Sequence, residues 1–88
     1  MNHKHRKTLH GLFAHPLSGN ISMNDVEHVF HELGAVVGHG GTGKLSVKLN
    51  GHSVHFHEHA HSMGKDEVVQ VRKFLEMCGV NPTRDYPL

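Results

Sequence analysis

The chain is short of most features that would assign it to a specialised class. Its 88 residues include one cysteine, no tryptophan, 36% hydrophobic residues and a formal charge of only +1. A single thiol, Cys78, excludes an internal disulfide framework and suits a reducing compartment. Cys78 also closes a helically spaced apolar stripe, which makes it a buried core thiol rather than a nucleophile. No apolar run approaches a signal-peptide h-region or a membrane span, so the sequence reads as cytoplasmic with no membrane partner. The length suits one domain that buries about 60–65% of its unfolded surface, around a modest core. A charge this close to neutral permits nucleic-acid binding without demanding it. What the chain has in excess is histidine: twelve residues whose charge changes between about pH 5 and 8.

The most informative stretch is residues 44 to 57. Asn50-Gly51 lies between two runs of alternating polarity, the strongest short-range hairpin signal, because both residues tolerate the positive φ of a type I′ turn. That turn pairs Leu49 with His52, Val47 with Val54 and Leu45 with Phe56 on one apolar face. On the other face Lys44 stands opposite His57 and Ser46 opposite His55, with Lys48 beside them. Directly opposed side chains have Cβ atoms roughly 5 Å apart, so Lys44 and His57 can act on one substrate atom. The simpler reading is that Lys44, Ser46 and His55 keep one sheet face soluble.

Elsewhere the patterning is helical. Asn2 to Lys7 reads as a flexible basic lead, either solvated or an arm for RNA phosphate. Leu9, Leu12 and Phe13 predict a short helical turn ended by Pro16. Ser22 with Asp25 resembles a capping box, ahead of a stripe at Val26, Val29, Phe30 and Leu33 that stops at Gly34. Ala35-Val36-Val37 reads as a short strand and Gly38 to Gly43 as a loop. Lys65 to Cys78 reads as a second helix with Val68, Val71, Leu75 and Cys78 inward, and Gln70, Arg72, Lys73 and Glu76 facing solvent. The tail, 81–88, carries two prolines and reads as irregular. The fold class is α+β, in the order α-β-β-β-α: a three-stranded antiparallel sheet with two helices on one face.

Two motifs invite other readings. Gly38 to Lys44 matches the first seven positions of a phosphate-binding P-loop. Leu45 then replaces the hydroxyl residue that would hold magnesium, and a strand follows instead of a helix, so a Gly-rich connection is the better reading. His55, His57, His59 and His61 alternate, which spaces imidazoles about 6–7 Å apart on one face of a strand. That suits shared Zn²⁺, Ni²⁺ or Cu²⁺, but no Cys or paired carboxylate completes a four-ligand set, so no metal site or cofactor is assigned.

From Lys7 to about Pro82 the chain resembles the HicA toxin family of bacterial toxin–antitoxin systems. The resemblance rests on Lys7-Thr8-Leu9 to Phe13-Ala14-His15-Pro16, Asp25-Val26-Glu27 to Leu33-Gly34-Ala35, and Val47-Lys48-Leu49-Asn50-Gly51. It continues through Phe56-His57 and through Val71-Arg72-Lys73-Phe74-Leu75-Glu76 with Gly79-Val80. No single piece is specific; their order and spacing are. The resemblance implies a double-stranded-RNA-binding-like fold over residues 8–80 and an mRNA-cleaving endoribonuclease neutralised by a HicB-like antitoxin. Many members carry Gly-Ser-His at the start of the second strand, where the His is catalytic. This chain carries Thr42-Gly43-Lys44 there, and His57 across the hairpin is the nearest substitute.

RNA supplies its own nucleophile, the 2′-OH, so a metal-free ribonuclease needs a base, an acid and a cation at the phosphate. His57 is the expected proton-transfer residue, Lys44 the phosphate-stabilising cation and His55 the second acid or base. Lys48, Lys65, Arg72 and Lys73 are the expected contacts to backbone phosphates. Two alternatives stay open: a non-catalytic RNA- or antitoxin-binding module, given Lys44 in the catalytic position, and a His-rich metal-binding protein.

Overall fold

The computed structural model describes residues 1–14, 21–40, 43–57 and 64–88. Helices α1 (His3–Leu12) and α2 (Met23–Glu32) precede strands β1 (Val36–Gly40), β2 (Lys44–Leu49) and β3 (His52–His57). Helices α3 (Lys65–Met77) and α4 (Pro82–Asp85) follow. The strands form an antiparallel sheet in the order β1-β2-β3. The hairpin has the register its turn dictates: Lys44 pairs with His57, Ser46 with His55 and Val47 with Val54. Asn50 and Gly51 have φ of 52° and 82°, the two left-handed positions of a type I′ turn.

Alternation then divides the sheet into two faces. Leu45, Val47, Leu49 and Phe56 are buried and meet α2 and α3, whose stripes (Val26, Val29, Phe30; Val68, Val71, Phe74, Leu75) join the same core. One ring from each of α2, β3 and α3 meets at its centre. Phe30, Phe56 and Phe74 have centroids 6.0–6.3 Å apart, one stacked pair and two edge contacts. Burying such a side chain contributes about 1.5–3 kcal/mol. Ser22 caps α2 as expected, its Oγ accepting from the Asp25 N–H at 3.2 Å. At the other end α3 is fastened to the hairpin. Asn50 Nδ2 donates to the Cys78 carbonyl at 2.8 Å, and the Cys78 thiol donates to the Leu49 carbonyl at 3.3 Å. Burial pushes the Cys78 thiol up from its ordinary value, so less of it is the reactive thiolate. A 13-residue helix and a 6-residue strand both span about 20 Å. Helix α3 therefore runs back along β3, with Lys65 at the end of the sheet where His57 stands.

Three segments differ from their sequence expectations. Asn2 to Lys7 are not a frayed lead: α1 starts at His3, with Asn2 Oδ1 accepting from the His5 N–H at 2.8 Å. Its polar residues are tied to α2, His5 Nδ1 lying 2.7 Å from Glu32 Oε2 and Lys4 Nζ 3.9 Å from Asp25 Oδ1. Gly38 to Gly40, expected in a loop, extend β1, because their backbone pairs with Ser46, Leu45 and Lys44. The tail contains the short α4, begun by an Asn81 cap and by Pro82 at a first-turn position, where a missing N–H costs nothing. Within it Arg84 and the Asn81 N–H donate to the Asp85 carboxylate, holding it below the usual carboxylate range. His10 Nε2 donates to the Tyr86 carbonyl at 2.7 Å, joining the tail to α1. The folded unit thus extends beyond 8–80 at both ends. The expected stop at Pro16 lies outside the described residues. Among the described residues no helix is long and apolar enough to cross a membrane.

Candidate functional site

The face of the sheet turned away from the helices carries Val36, Gly38 and Gly40 on β1, Lys44, Ser46 and Lys48 on β2, and Ser53, His55 and His57 on β3. Lys44, Lys48, His55 and His57 are exposed, as the turn-derived register requires. At one end lies a depression of about 510 Å³ lined by Gly40, Lys44, Ser46, His55, Phe56 and His57. Lys44 and His57 face each other across the ladder, and His55 follows about 7 Å along the same strand. Ser46 does not point freely into the depression. Its Oγ donates to the Gly38 carbonyl at 3.2 Å, which fixes the hydroxyl as part of the floor. One cation and two imidazoles thus border a space large enough for a phosphodiester and its sugars, and a hydroxyl forms the floor between them.

The expected phosphate contacts do not all gather here. Lys48 shares the face, two strand repeats from Lys44. Lys73 is exposed and borders a second depression with Ser53, Val54, His55, Gln70, Phe74 and Met77, at the seam between β3 and α3. Lys65 is exposed at the start of α3, in the helix layer rather than on the sheet face. Arg72 corrects the sequence expectation: its side chain is only 19% exposed, with Nε 3.6 Å from Glu76 Oε1 one turn on. The pair shields its charge, and Arg72 Nη1 is buried with no hydrogen-bond partner among the described residues. Of the four, Lys48 and Lys73 are the groups best placed to meet a strand lying over Lys44 and His55.

The histidines divide similarly. His55 and His57 belong to the open face, whereas His59 and His61 lie outside the described residues. His39, expected as a scattered surface residue, reaches from β1 to α2, its Nε2 lying 2.7 Å from Glu27 Oε1. Among the described residues no group of three metal-ligating side chains is placed to hold an ion. Two lining residues were not placed at the site by sequence reasoning: Phe56, assigned to the apolar face, and Gly40, whose strand was read as loop. The repeat of glycine at 38 and 40, a period of two, was the available signal. Comparison with protein-family models, with curated proteins and with solved structures finds no match to this chain.

These positions set an expectation for salt dependence. If RNA lies across this face, log affinity falls by about 0.7 per log unit of salt for each phosphate contact on a single strand. Replacing Lys48 and Lys73 together by alanine should reduce that slope by about 1.4, the sum of two such contacts. Arg72→Ala should leave the slope nearly unchanged and lower the melting temperature instead. Titrating a labelled RNA at several salt concentrations checks this. A slope unmoved by the double change would put the RNA elsewhere, first of all on the basic residues of α1.

Proposed function

We propose that this chain is an RNA-cleaving toxin of the HicA kind, a cytoplasmic metal-independent endoribonuclease held in check by a HicB-like antitoxin. The observation that carries the proposal is the pairing of Lys44 with His57 across the hairpin, beside His55, at an open depression on a solvent-facing sheet. The helix–strand–strand–strand–helix core agrees with the fold that the resemblance implies.

The chemistry follows from the groups present. One imidazole, His57, takes the proton from the ribose 2′-OH, and the 2′-oxygen attacks the adjacent phosphorus. The bond from phosphorus to the 5′-oxygen breaks, and His55 gives that oxygen a proton. The products are a 2′,3′-cyclic phosphate and a free 5′-OH. Lys44, opposite His57, offsets the charge that gathers on the non-bridging oxygens. Exposure of the face lets a long strand enter from the side, without threading into a closed pocket.

A second reading, a non-catalytic RNA- or antitoxin-binding module, is favoured by Lys44 standing where many HicA proteins carry the catalytic imidazole. Induced expression in a bacterial host separates the two. The catalytic reading expects growth arrest together with shortened cellular mRNA, and His57→Ala should relieve both. Arrest with intact mRNA would favour the binding module, and unimpaired growth at full expression would contradict the toxin reading.

A further inference from the structure

The outer face of β1 bears glycine at two successive outward positions, and among the described residues only one of them meets a neighbour that excludes a side chain. Gly38 stands opposite Ser46, and a Cβ added there would lie 2.9 Å from the Ser46 hydroxyl. The hydrogen bond from Ser46 to the Gly38 carbonyl therefore requires a residue without a side chain. Gly40 stands opposite Lys44, and among the described residues a Cβ added there would meet nothing within 4 Å. Nor does its backbone need glycine, because Gly40 lies outside the left-handed region that Gly34, Gly43, Gly51 and Gly79 occupy. Glycine inside a strand lowers stability through its extra backbone freedom and its lack of a packing side chain. At position 40 no contact among the described residues offsets that cost. Gly40 ends β1, and a glycine in a strand marks a bulge, a bend or a place where a ligand or another backbone comes close.

Gly40 also lines the depression bordered by Lys44, His55 and His57. Neighbouring strands lie about 4.8 Å apart, so a side chain at 40 would stand directly beside the Lys44 ammonium stem and fill the β1 side of that space. We propose that Gly40 is the clearance residue of the site: its missing side chain lets the substrate strand cross β1 against bare backbone, delivering a phosphodiester to Lys44 and His57. This rests on the ribonuclease reading for the identity of the substrate and extends it to the path that RNA takes. The strand leaves the reacting phosphate across β1, and its other arm runs over β3 toward Lys73 at the α3 seam.

A size series in the full-length protein tests this. Gly40→Ala and Gly40→Val add volume over the floor without forcing the backbone, and valine suits a strand better than glycine does. The melting temperature should hold or rise. KM for a defined single-stranded RNA should increase with side-chain size, by about tenfold or more for valine, while kcat changes by no more than about threefold. RNA affinity measured in the His57→Ala background, with and without Gly40→Val, should fall by the same factor. An unchanged KM for Gly40→Val, or a melting temperature that drops in step with activity, would overturn the clearance role. A protein that binds RNA without cutting it, and binds it about tenfold more weakly with Gly40→Val, would keep the clearance role and overturn the catalytic reading. A wild type that neither binds nor cuts RNA would overturn both.

Discussion

Replacing His57 by alanine should lower RNA cleavage by about 10²–10⁴-fold, the usual worth of a positioned acid–base group. The fold should be nearly untouched. His57 is exposed on the side of β3 facing away from Phe56 and the core, so its removal leaves no cavity. The loss should therefore appear in kcat, with the melting temperature and RNA affinity changing little. Lys44→His in the same background should restore part of the activity, because it returns an imidazole to the depression one cross-strand step away. A His57→Ala protein that cleaves at the wild-type rate would end this assignment.

The second large effect concerns folding. Val47→Asp should remove most or all of the stability, whereas Lys48→Asp should change it by about 0.5 kcal/mol or less. Val47 is 1% exposed, in the central strand and facing the helices, while its neighbour Lys48 is exposed on the outer face. A carboxylate at 47 either stays charged without a partner, at a cost of several kcal/mol, or is forced to take up a proton. Against a typical total of about 5–15 kcal/mol, that is enough to unfold a domain this small. The pH dependence has a definite sign. Burial raises the pKa of an aspartate at 47 above its unfolded value, so the folded state binds the extra proton more tightly. The variant should regain stability as pH falls and lose it as pH rises through the raised pKa. Paired melting curves of the two variants check this, and comparable losses from both would mean that the strand register is off by one residue.

Both expectations come from the part of the molecule that was most legible in the sequence. The Asn50-Gly51 turn fixes the pairing of β2 with β3 locally, so no knowledge of distant contacts was needed to set Lys44 opposite His57. Helices α2 and α3 were legible for a similar reason, since their apolar stripes and the Ser22 cap are local signals. What escaped notice depends on partners far along the chain. Helix α1 starts early because His5 and Lys4 reach Glu32 and Asp25 on α2, which no periodicity in residues 2–7 announces. Strand β1 continues through Gly38 and Gly40 because β2 supplies the ladder, and two glycines carry no side-chain pattern to reveal it. The site divides along the same line. His57, His55, Lys44 and Lys48 were readable once the turn was read. Gly40 needed the register of β1. Arg72 could have been read correctly, since Glu76 four residues on is a standard helical ion-pair spacing that withdraws the guanidinium from solvent.

Cleavage of RNA at this face, by protons and a lysine alone, can be read from a single digestion. Purified wild-type protein is incubated with a single-stranded RNA in excess EDTA, beside the same strand carrying 2′-deoxyribose throughout. The RNA should be cut, the new ends should carry 2′,3′-cyclic phosphate and 5′-OH, and the deoxy strand should survive. RNA left intact, or a deoxy strand cut as fast as the ribose one, would contradict this chemistry.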